Sequence, residues 1–370
     1  MTVRARATAQ TDALASLKMH PRRARCARFV LSSGDSRESN VPLLFRRPRS
    51  IALFASIAAI LLSCGARQSQ PLPPDCFAFA VFGDGPYHTW EVGRFGHLIE
   101  EVNRADLQWF LHVGDIFRYP CSDQHYMSEL ATMKAIRHPV VYTPGDNEWT
   151  DCHEQADGGY RPLERLARLR HLFFTHPRRS LGAHPMPLDP QSANPAFAEF
   201  VENARWVRGG FVFATVHMVG SSNALKPFPG RGPADDAEVA RRTEAALAWM
   251  DEAFALAKEQ GMSGVVLAMH GSPTPERIPR VREGYAEFID RLEDHVKAFP
   301  GEVLLIHGDS HQQRVDHPLR DRTTGETLTN FTRLETFGSP DIGWVRVVVD
   351  SVAGRIVSYE PHLMSKWRLW

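Results

Sequence analysis

The chain has 370 residues, of which 43% are hydrophobic and 23% are charged, and these proportions are typical of a globular protein with one large core. The formal net charge is zero, but residues 1–50 hold 11 of the 43 Lys and Arg and only 3 of the 43 Asp and Glu. The rest of the chain is therefore mildly acidic. Because nucleic-acid-binding surfaces cluster Lys and Arg against phosphates, we expect no nucleic-acid partner.

A short apolar segment from Ile51 to Leu62 follows the basic sequence RRPRS. A basic region, an apolar region and then small residues are typical of a secretory signal, and the segment is too short to span a bilayer. Its end, LLSC, resembles the bacterial lipobox, in which the cysteine is lipidated. That resemblance implies an exported protein anchored in the cell envelope, in the periplasm or at the outer membrane, through a lipid on Cys64. A buried core helix is the alternative, but the polar, Pro-rich sequence after Cys64 gives such a helix nothing to pack against.

Residues 1–45 precede this signal and are rich in Arg and Ser. Because a signal peptide starts near its basic region, we interpret this stretch as the product of a misassigned start codon. We divide the chain into residues 1–75, an extension with the signal and a tether, and residues 76–370, a single catalytic domain. A cytosolic location is the alternative if the lipobox match is accidental.

Five short apolar runs in the catalytic domain each end at a polar turn: Phe77–Phe82, Leu107–Val113, Pro139–Tyr142, Val265–Met269 and Val303–Ile306. Helical patterns lie between them, at Val92–Asn103, Met127–Ile136, Glu238–Gln260 and Tyr285–Phe299. Strands that alternate with helices predict an α/β fold, and ligand sites in such folds lie beyond the carboxyl ends of the strands. The polar residues after the five runs should therefore meet in one crevice.

Three further segments complete the domain. Gly343–Asp350 and Gly354–Tyr359 alternate around a turn and predict an antiparallel hairpin, which suits a second sheet. Residues 157–208 are rich in Arg, Pro and aromatic residues without a clear period, and we predict a lid or insertion over the site. Phe211–Val219 then predicts another strand.

Cys121 and Cys152 each follow a loop that we place at the same edge of a sheet. An oxidising compartment permits a disulfide between two such cysteines. We therefore predict this pair, with two buried free thiols as the alternative.

The polar residues at the strand ends provide a ligand set for two metal ions: Asp84, Asp115, Asp146, His270, Asp309 and His311. Two divalent cations need several carboxylate or imidazole ligands and a carboxylate that can bridge. A Gly precedes each of the four Asp residues, which lets the backbone approach a metal or a phosphate closely. The oxygen-rich set favours Mg, Mn, Fe or Zn over soft-metal chemistry. One Gly-Asp alone is equally typical of an ordinary turn, so the prediction depends on the whole ordered set.

That ordered set resembles the motifs of the calcineurin-like phosphoesterases, which include purple acid phosphatases: Gly-Asp, Gly-Asp, Gly-Asn-His-Asp/Glu, His and Gly-His-x-His. The resemblance covers most of the catalytic domain and implies a four-layer α/β/β/α sandwich of two mixed sheets flanked by helices. It implies that Asp84 binds one metal, that Asp115 bridges both, and that His270 and His311 bind the second and first metals. The implied reaction is hydrolysis of a small phosphate mono- or diester by a metal-bound hydroxide.

The first two motifs depart from the family pattern. Pro86 stands where the first motif often has a metal-binding His, so this site is predicted to lack one imidazole. Purple acid phosphatases have a metal-binding Tyr three residues after the bridging Asp. Tyr119 lies four residues after Asp115, and we do not assign it as a ligand.

The third motif of this chain is Gly145-Asp146-Asn147-Glu148. Aligned column by column, Asp146 replaces the family's Asn ligand and Asn147 replaces the His that assists the leaving group; a shifted alignment keeps Asn147 as the ligand. In the last motif Asp309 replaces the first His. Because carboxylate oxygens can ligate metals, metal binding is expected to survive these changes.

Proton donation to the leaving group is the step that these departures affect. His153, His88 or Glu148 could take the place of the missing His, and the sequence does not choose among them. Loss of a general acid lowers rates by about 10²–10⁴-fold. The alternative function is therefore a catalytically weak, metal-loaded envelope protein that binds phosphorylated ligands. No serine-hydrolase elbow or nucleotide-motor loop occurs in the chain.

Overall fold

The computed structural model describes residues 72–118, 120–277 and 284–365. The predicted signal, the proposed anchor Cys64 and Tyr119 lie outside these residues. None of the helices in the described part of the chain is long and apolar enough to cross a membrane.

The strands are β1 (Cys76–Phe82), β2 (Phe110–His112), β3 (Val140–Tyr142), β4 (Asp189–Pro190), β5 (Ala204–Arg208), β6 (Phe211–Thr215), β7 (Gly264–Ala268), β8 (Glu302–His307), β9 (Arg314–Asp316), β10 (Phe331–Glu335), β11 (Gly343–Asp350) and β12 (Arg355–Leu363). The α-helices are α1 (Thr89–Arg104), α2 (Asp123–Ala135), α3 (Pro162–Phe173), α4 (Gly220–Ala224), α5 (Pro233–Glu259) and α6 (Ala286–Ala298). The short α4 is irregular, because Ser221, Ser222 and Asn223 have left-handed backbone angles.

Two mixed sheets carry the fold. The first has the strand order β12-β11-β1-β2-β3 and the second has the order β4-β5-β6-β7-β8-β10-β9. β1, β2 and β3 are parallel, as are β6, β7, β8 and β10. The remaining strands pair antiparallel at the sides of each sheet.

The alternation of β1 shows how the layers form. Phe77, Phe79 and Val81 face the second sheet, whereas the intervening Ala78, Ala80 and Phe82 face the helices, as the two-residue period of a strand requires. Between the sheets, the Phe79 ring stacks on Trp109 at 5.0 Å, and Trp109 meets Phe213 of the second sheet edge-on at 4.9 Å. These aromatic contacts fix the two sheets against each other.

Helices cover both outer faces. Apolar residues of α1, α2 and α3 pack on the first sheet, and those of α5 and α6 pack on the second. The order of layers is therefore helix, sheet, sheet, helix, and the predicted four-layer α/β/β/α class is confirmed.

The hairpin and residues 157–208 show where the structure adds detail to the predictions. β11 and β12 form the predicted hairpin, but β11 pairs antiparallel with β1, so the hairpin extends the first sheet rather than a separate one. Residues 157–208 contain α3, which packs in the outer core beside α2, and β4 and β5, which lengthen the second sheet.

The predicted Cys121–Cys152 disulfide is present, with Cα atoms 5.7 Å apart. It joins the segment after β2 to the 3₁₀ turn after β3. A cross-link of this kind typically stabilises a fold by about 2–4 kcal/mol. It also ties together the two loops that carry Asp115 and Asp146.

Candidate metal centre

The candidate ligands follow the carboxyl ends of five parallel strands, and both sheets contribute. Asp84, Asp115 and Asp146 come after β1, β2 and β3 of the first sheet, and His270 and Asp309 come after β7 and β8 of the second. Because the layers are packed face to face, these loops meet at one end of the sandwich. The crevice expected from the sequence therefore lies at this end of the sandwich, between the loops of the two sheets.

His270 is the centre of the cluster. Its Nε2 lies 2.8 Å from Oδ1 of Asp146, 3.3 Å from Oδ1 of Asp115 and 4.0 Å from Oδ1 of Asp309. Its Nδ1 lies 2.9 Å from the Val113 carbonyl oxygen. A proton on Nδ1 satisfies that carbonyl and leaves Nε2 free to ligate a metal.

Two overlapping groups could each hold a metal ion. One contains Asp84, Asp115 and His270, the other contains Asp146, His270 and Asp309, and within each group the ligand atoms lie within 4.8 Å of one another. A single imidazole nitrogen binds one ion, so His270 can serve only one of the two groups at a time. Asp115, whose Oδ1 lies 3.3 Å from Nε2 of His270, is a member of the first group next to this shared residue.

His311 lies at the side of the cluster, outside both groups. Its Nε2 is 3.6 Å from Oδ1 of Asp84, and its Nδ1 is 2.7 Å from the Ser339 carbonyl oxygen. The backbone N–H of Asp309 also donates to Oδ1 of Asp84 at 2.9 Å. Asp84, which follows β1, thus contacts both Asp309 and His311 of the last motif.

Glycines let the loops come this close. A Cβ on Gly145 would overlap Oδ1 of Asp115, and a Cβ on Gly308 would overlap Oδ2 of Asp84. Asp84, Asp115, Asp309 and His311 all have positive φ, between 55° and 74°. Such angles are uncommon outside Gly, although Asp adopts them more readily than most residues, and strained backbone of this kind concentrates at functional sites.

Burial disfavours the ionised form of three of the four carboxyl groups and raises their pKa values. Burial raises the pKa of Asp84 to about 6, against the opposing attraction of His270. Burial raises the pKa of Asp115 well above its usual value, and repulsion by Asp146 adds to this effect. Burial also raises the pKa of Asp309.

His270 and Asp146 behave as a pair within this cluster. Burial alone would lower the pKa of His270, but Asp115 and the hydrogen bond to Asp146 raise it well above its usual value. Burial alone would raise the pKa of Asp146, but the hydrogen bond to His270 lowers it. Three buried carboxylates and the partly exposed Asp309, with few positive partners, are the donor chemistry that hard divalent cations neutralise, so these residues fit a metal centre.

Two contacts of the cluster were missed by the sequence analysis. Tyr87 donates its hydroxyl to Oδ2 of Asp115 at 2.5 Å. Ser221 Oγ lies 3.0 Å from Oδ2 of Asp146 and 2.8 Å from Oδ1 of Asp151. Tyr87 belongs to no family motif, and Ser221 lies in the irregular α4 turn, so only proximity in the fold identifies them.

The three predicted catalytic residues have different surroundings. Asn147 donates its backbone N–H to Oδ1 of Asp115 at 3.1 Å and lies beside the cluster. Glu148 is fully buried and accepts hydrogen bonds from the Ile116 N–H and the Tyr142 hydroxyl. Its burial makes it a support for the Asp115 loop rather than a group that reaches a substrate.

His153 belongs to neither metal-binding group. Its Nδ1 lies 2.8 Å from the Thr150 carbonyl oxygen, and its ring stacks on Phe228 at 4.4 Å. The third candidate proton donor, His88, is exposed beside Tyr87.

No family model matches the chain, and no curated protein matches it. Among solved structures, it is similar to GAP50, "the anchor in the inner membrane complex of Plasmodium" (11% identity, 79% of this chain and 90% of that one, TM-score 0.44). It is also similar to a 5'-nucleotidase from Candida albicans (12% identity, 78% and 50%, TM-score 0.40) and a phosphatase from Mycoplasma pneumoniae (10% identity, 78% and 93%, TM-score 0.40). These TM-scores lie below 0.5, so the fold assignment depends on the sheets and helices described above.

Metal binding should stabilise the protein more at pH 8 than at pH 5. The folded-state pKa of Asp84 is raised to about 6, so the protonated cluster contributes stability to the metal-free protein at low pH, and this contribution is lost as the pH rises through about 6. Below that pH protons compete with the metal, at about 1.4 kcal/mol per pH unit for each proton displaced. Thermal denaturation with and without Mn²⁺ at the two pH values measures the difference.

The matched variants for this experiment are Asp84→Asn, which should reduce the Mn²⁺ effect, and Asp294→Asn, an exposed carboxylate paired with Arg322, which should leave it unchanged. Equal stabilisation by Mn²⁺ at pH 5 and pH 8 would contradict the electrostatic account of the cluster.

Proposed function

We propose that this chain is a metal-dependent phosphoric ester hydrolase, a phosphatase or phosphodiesterase, as its resemblance to calcineurin-like phosphoesterases implies. The observation that carries the proposal is the convergence of four aspartates on His270 at the carboxyl ends of strands from both sheets. Asp84 and Asp115 would hold one ion, with His311 beside them, and Asp146, His270 and Asp309 would hold the other. The bound ions would polarise the phosphoryl group and lower the pKa of water.

The chain's own residues would position the bridging carboxylate. Asp115 accepts from the Tyr87 hydroxyl on one oxygen and from the Asn147 N–H on the other. These two donors keep its carboxylate plane fixed, so that the oxygen facing His270 stays available. Preorganised contacts of this kind lower the reorganisation needed at each turnover.

The leaving group is where this site differs most from the family pattern. Asn147 cannot act as an acid, Glu148 is fully buried, and His153 is held by Thr150 and Phe228. His88, the remaining candidate, stacks on Trp90 and belongs to neither metal-binding group. We infer that leaving groups that need no protonation are hydrolysed fastest. The same observation favours the second candidate function, a metal-loaded protein that binds phosphate esters with little turnover.

The hydrolase proposal is tested by hydrolysis of p-nitrophenyl phosphate and bis-p-nitrophenyl phosphate, together with the metal content of the protein. We expect about two metal ions per chain, and Asp115→Asn should lower kcat/KM by at least about 10³-fold, because both ions lose a shared ligand. Asp236→Asn, an exposed carboxylate on α5 paired with Arg231, is the matched control.

Bound metal without turnover of either ester would support the binding protein over the hydrolase. A protein that binds no divalent metal would contradict both functions. If the protein hydrolyses these esters, the ratio of monoester to diester hydrolysis would assign it to the phosphatases or to the phosphodiesterases.

We also propose that the protein is exported and anchored to the membrane of the cell envelope through a lipid on Cys64. The support is the basic, apolar and LLSC sequence from Arg46 to Cys64. Labelling of bacterial cells with a palmitate analogue should mark the wild-type chain and not Cys64→Ser. Equal labelling of the two chains would contradict the anchor.

A further inference from the structure

One exposed aromatic side chain stands close to the candidate metal centre. Among the large apolar side chains of residues 72–118, 120–277 and 284–365, the only exposed aromatic one is Trp90, at 57%. It lies in the first turn of α1, three residues after Tyr87. An indole ring that is exposed to water lacks the favourable free energy that burial would provide. Trp90 is not part of the apolar core in which α1 packs on the first sheet, so that packing does not explain why an indole stands at this position.

The ring is nevertheless held in a defined orientation. His88 stacks on Trp90 with ring centroids 5.3 Å apart and planes 10° apart. The Arg94 guanidinium lies 4.8 Å from the centroid of the Trp90 ring and is itself fixed by a 3.0 Å hydrogen bond to the Pro340 carbonyl oxygen. His88 and Trp90, which we call the ring platform, therefore form an ordered surface without being part of the core.

Two members of the cluster are partly exposed to solvent. The side chains of His311 and Asp309 are 28% and 27% exposed, whereas the other candidate ligands are buried. Tyr87 packs against His311 with ring centroids 5.4 Å apart. Tyr87 thus contacts the exposed edge of the metal centre and directly precedes His88 of the ring platform in the chain.

The short chain separation between Tyr87 and Trp90 suits a small organic phosphate. Three residues span at most about 11 Å of backbone, so Tyr87 and Trp90 lie within that distance of each other along the chain. A phosphate ester bound at the metal centre could therefore place a planar group of its alcohol part on the platform. Aromatic stacking tolerates many ring systems, because every such ring has a π face.

We propose that His88 and Trp90 bind the planar aromatic or heteroaromatic group of the substrate, so that the preferred substrates are phosphate esters of alcohols that carry such a group. This inference rests on the proposed hydrolase function and names its substrate class. Trp90 determines specificity by contact with the part of the ester remote from phosphorus. It contributes to binding and takes no part in proton transfer.

Adenosine 5'-monophosphate and ribose 5-phosphate form the decisive substrate pair. Both release a primary alcohol from phosphate, and they differ in the heteroaromatic base. The metal-loaded full chain should show a kcat/KM about tenfold higher for the adenosine ester, mainly through KM, as stacking on one ring predicts. Trp90→Ala should lose this preference and leave the constants for ribose 5-phosphate unchanged.

Val92→Ala is the matched control, because Val92 is 56% exposed on the same helix and is not part of the ring platform. It should keep the preference of the wild type. A direct binding measurement accompanies the kinetics: in protein labelled with 5-fluorotryptophan, the ¹⁹F resonance absent from Trp90→Phe should shift with the adenosine ester and not with ribose 5-phosphate.

The outcomes separate the two proposals. Hydrolysis of both esters with equal kcat/KM, or an equal loss for both esters in Trp90→Ala, would overturn the ring platform and leave the hydrolase intact. A wild-type protein that hydrolyses neither ester and shows no ¹⁹F shift would overturn the platform together with this use of the metal centre.

Discussion

Three buried carboxylates and the partly exposed Asp309, gathered around one imidazole, are the constraint on which this structure depends. Asp84, Asp115, Asp146 and Asp309 converge on or beside His270, and burial raises the pKa of all but Asp146. Such groups are costly to keep ionised in a folded protein without a compensating charge, because each ion taken from water is expensive to bury. Divalent cations are the compensation that fits an oxygen-rich set.

The two sheets must keep a fixed relation for this cluster to exist, because each supplies part of it. The aromatic contacts of Trp109 with Phe79 and Phe213 hold the sheets together. The Cys121–Cys152 disulfide fixes the loops of β2 and β3 relative to each other. Glycines at the strand ends then allow the loops an approach that a side chain would block.

Much of this arrangement could be predicted from the sequence, because apolar runs that end in Gly-Asp identify both the strands and their polar ends. The α/β class, the five strand ends and the disulfide follow from local patterns of this kind. The pairing of β11 with β1 could not be derived, because hairpin patterns do not specify the sheet that a hairpin joins. Glu148 is fully buried where Tyr126 of α2 and Tyr142 of β3 donate hydrogen bonds to it, a contact that no local pattern specifies. The Tyr87–Asp115 contact joins residues 28 apart and follows from no motif.

The departures from the family pattern are connected to the proposed chemistry. Asn147 stands where the family has the His that assists the leaving group, so in the proposed hydrolase binding of the remainder of the substrate would carry more of the selectivity. The ring platform next to Tyr87 is a surface on which that binding can occur. Weak acid assistance and stacking of the alcohol part are therefore compatible features of one site.

Anomalous X-ray diffraction from crystals loaded with Mn²⁺ tests the central claim most directly. The account predicts two anomalous peaks between the sheets, one beside Asp84 and Asp115 and the other beside Asp146, His270 and Asp309. Peaks confined to surface carboxylates, or no peak at the strand ends, would contradict it.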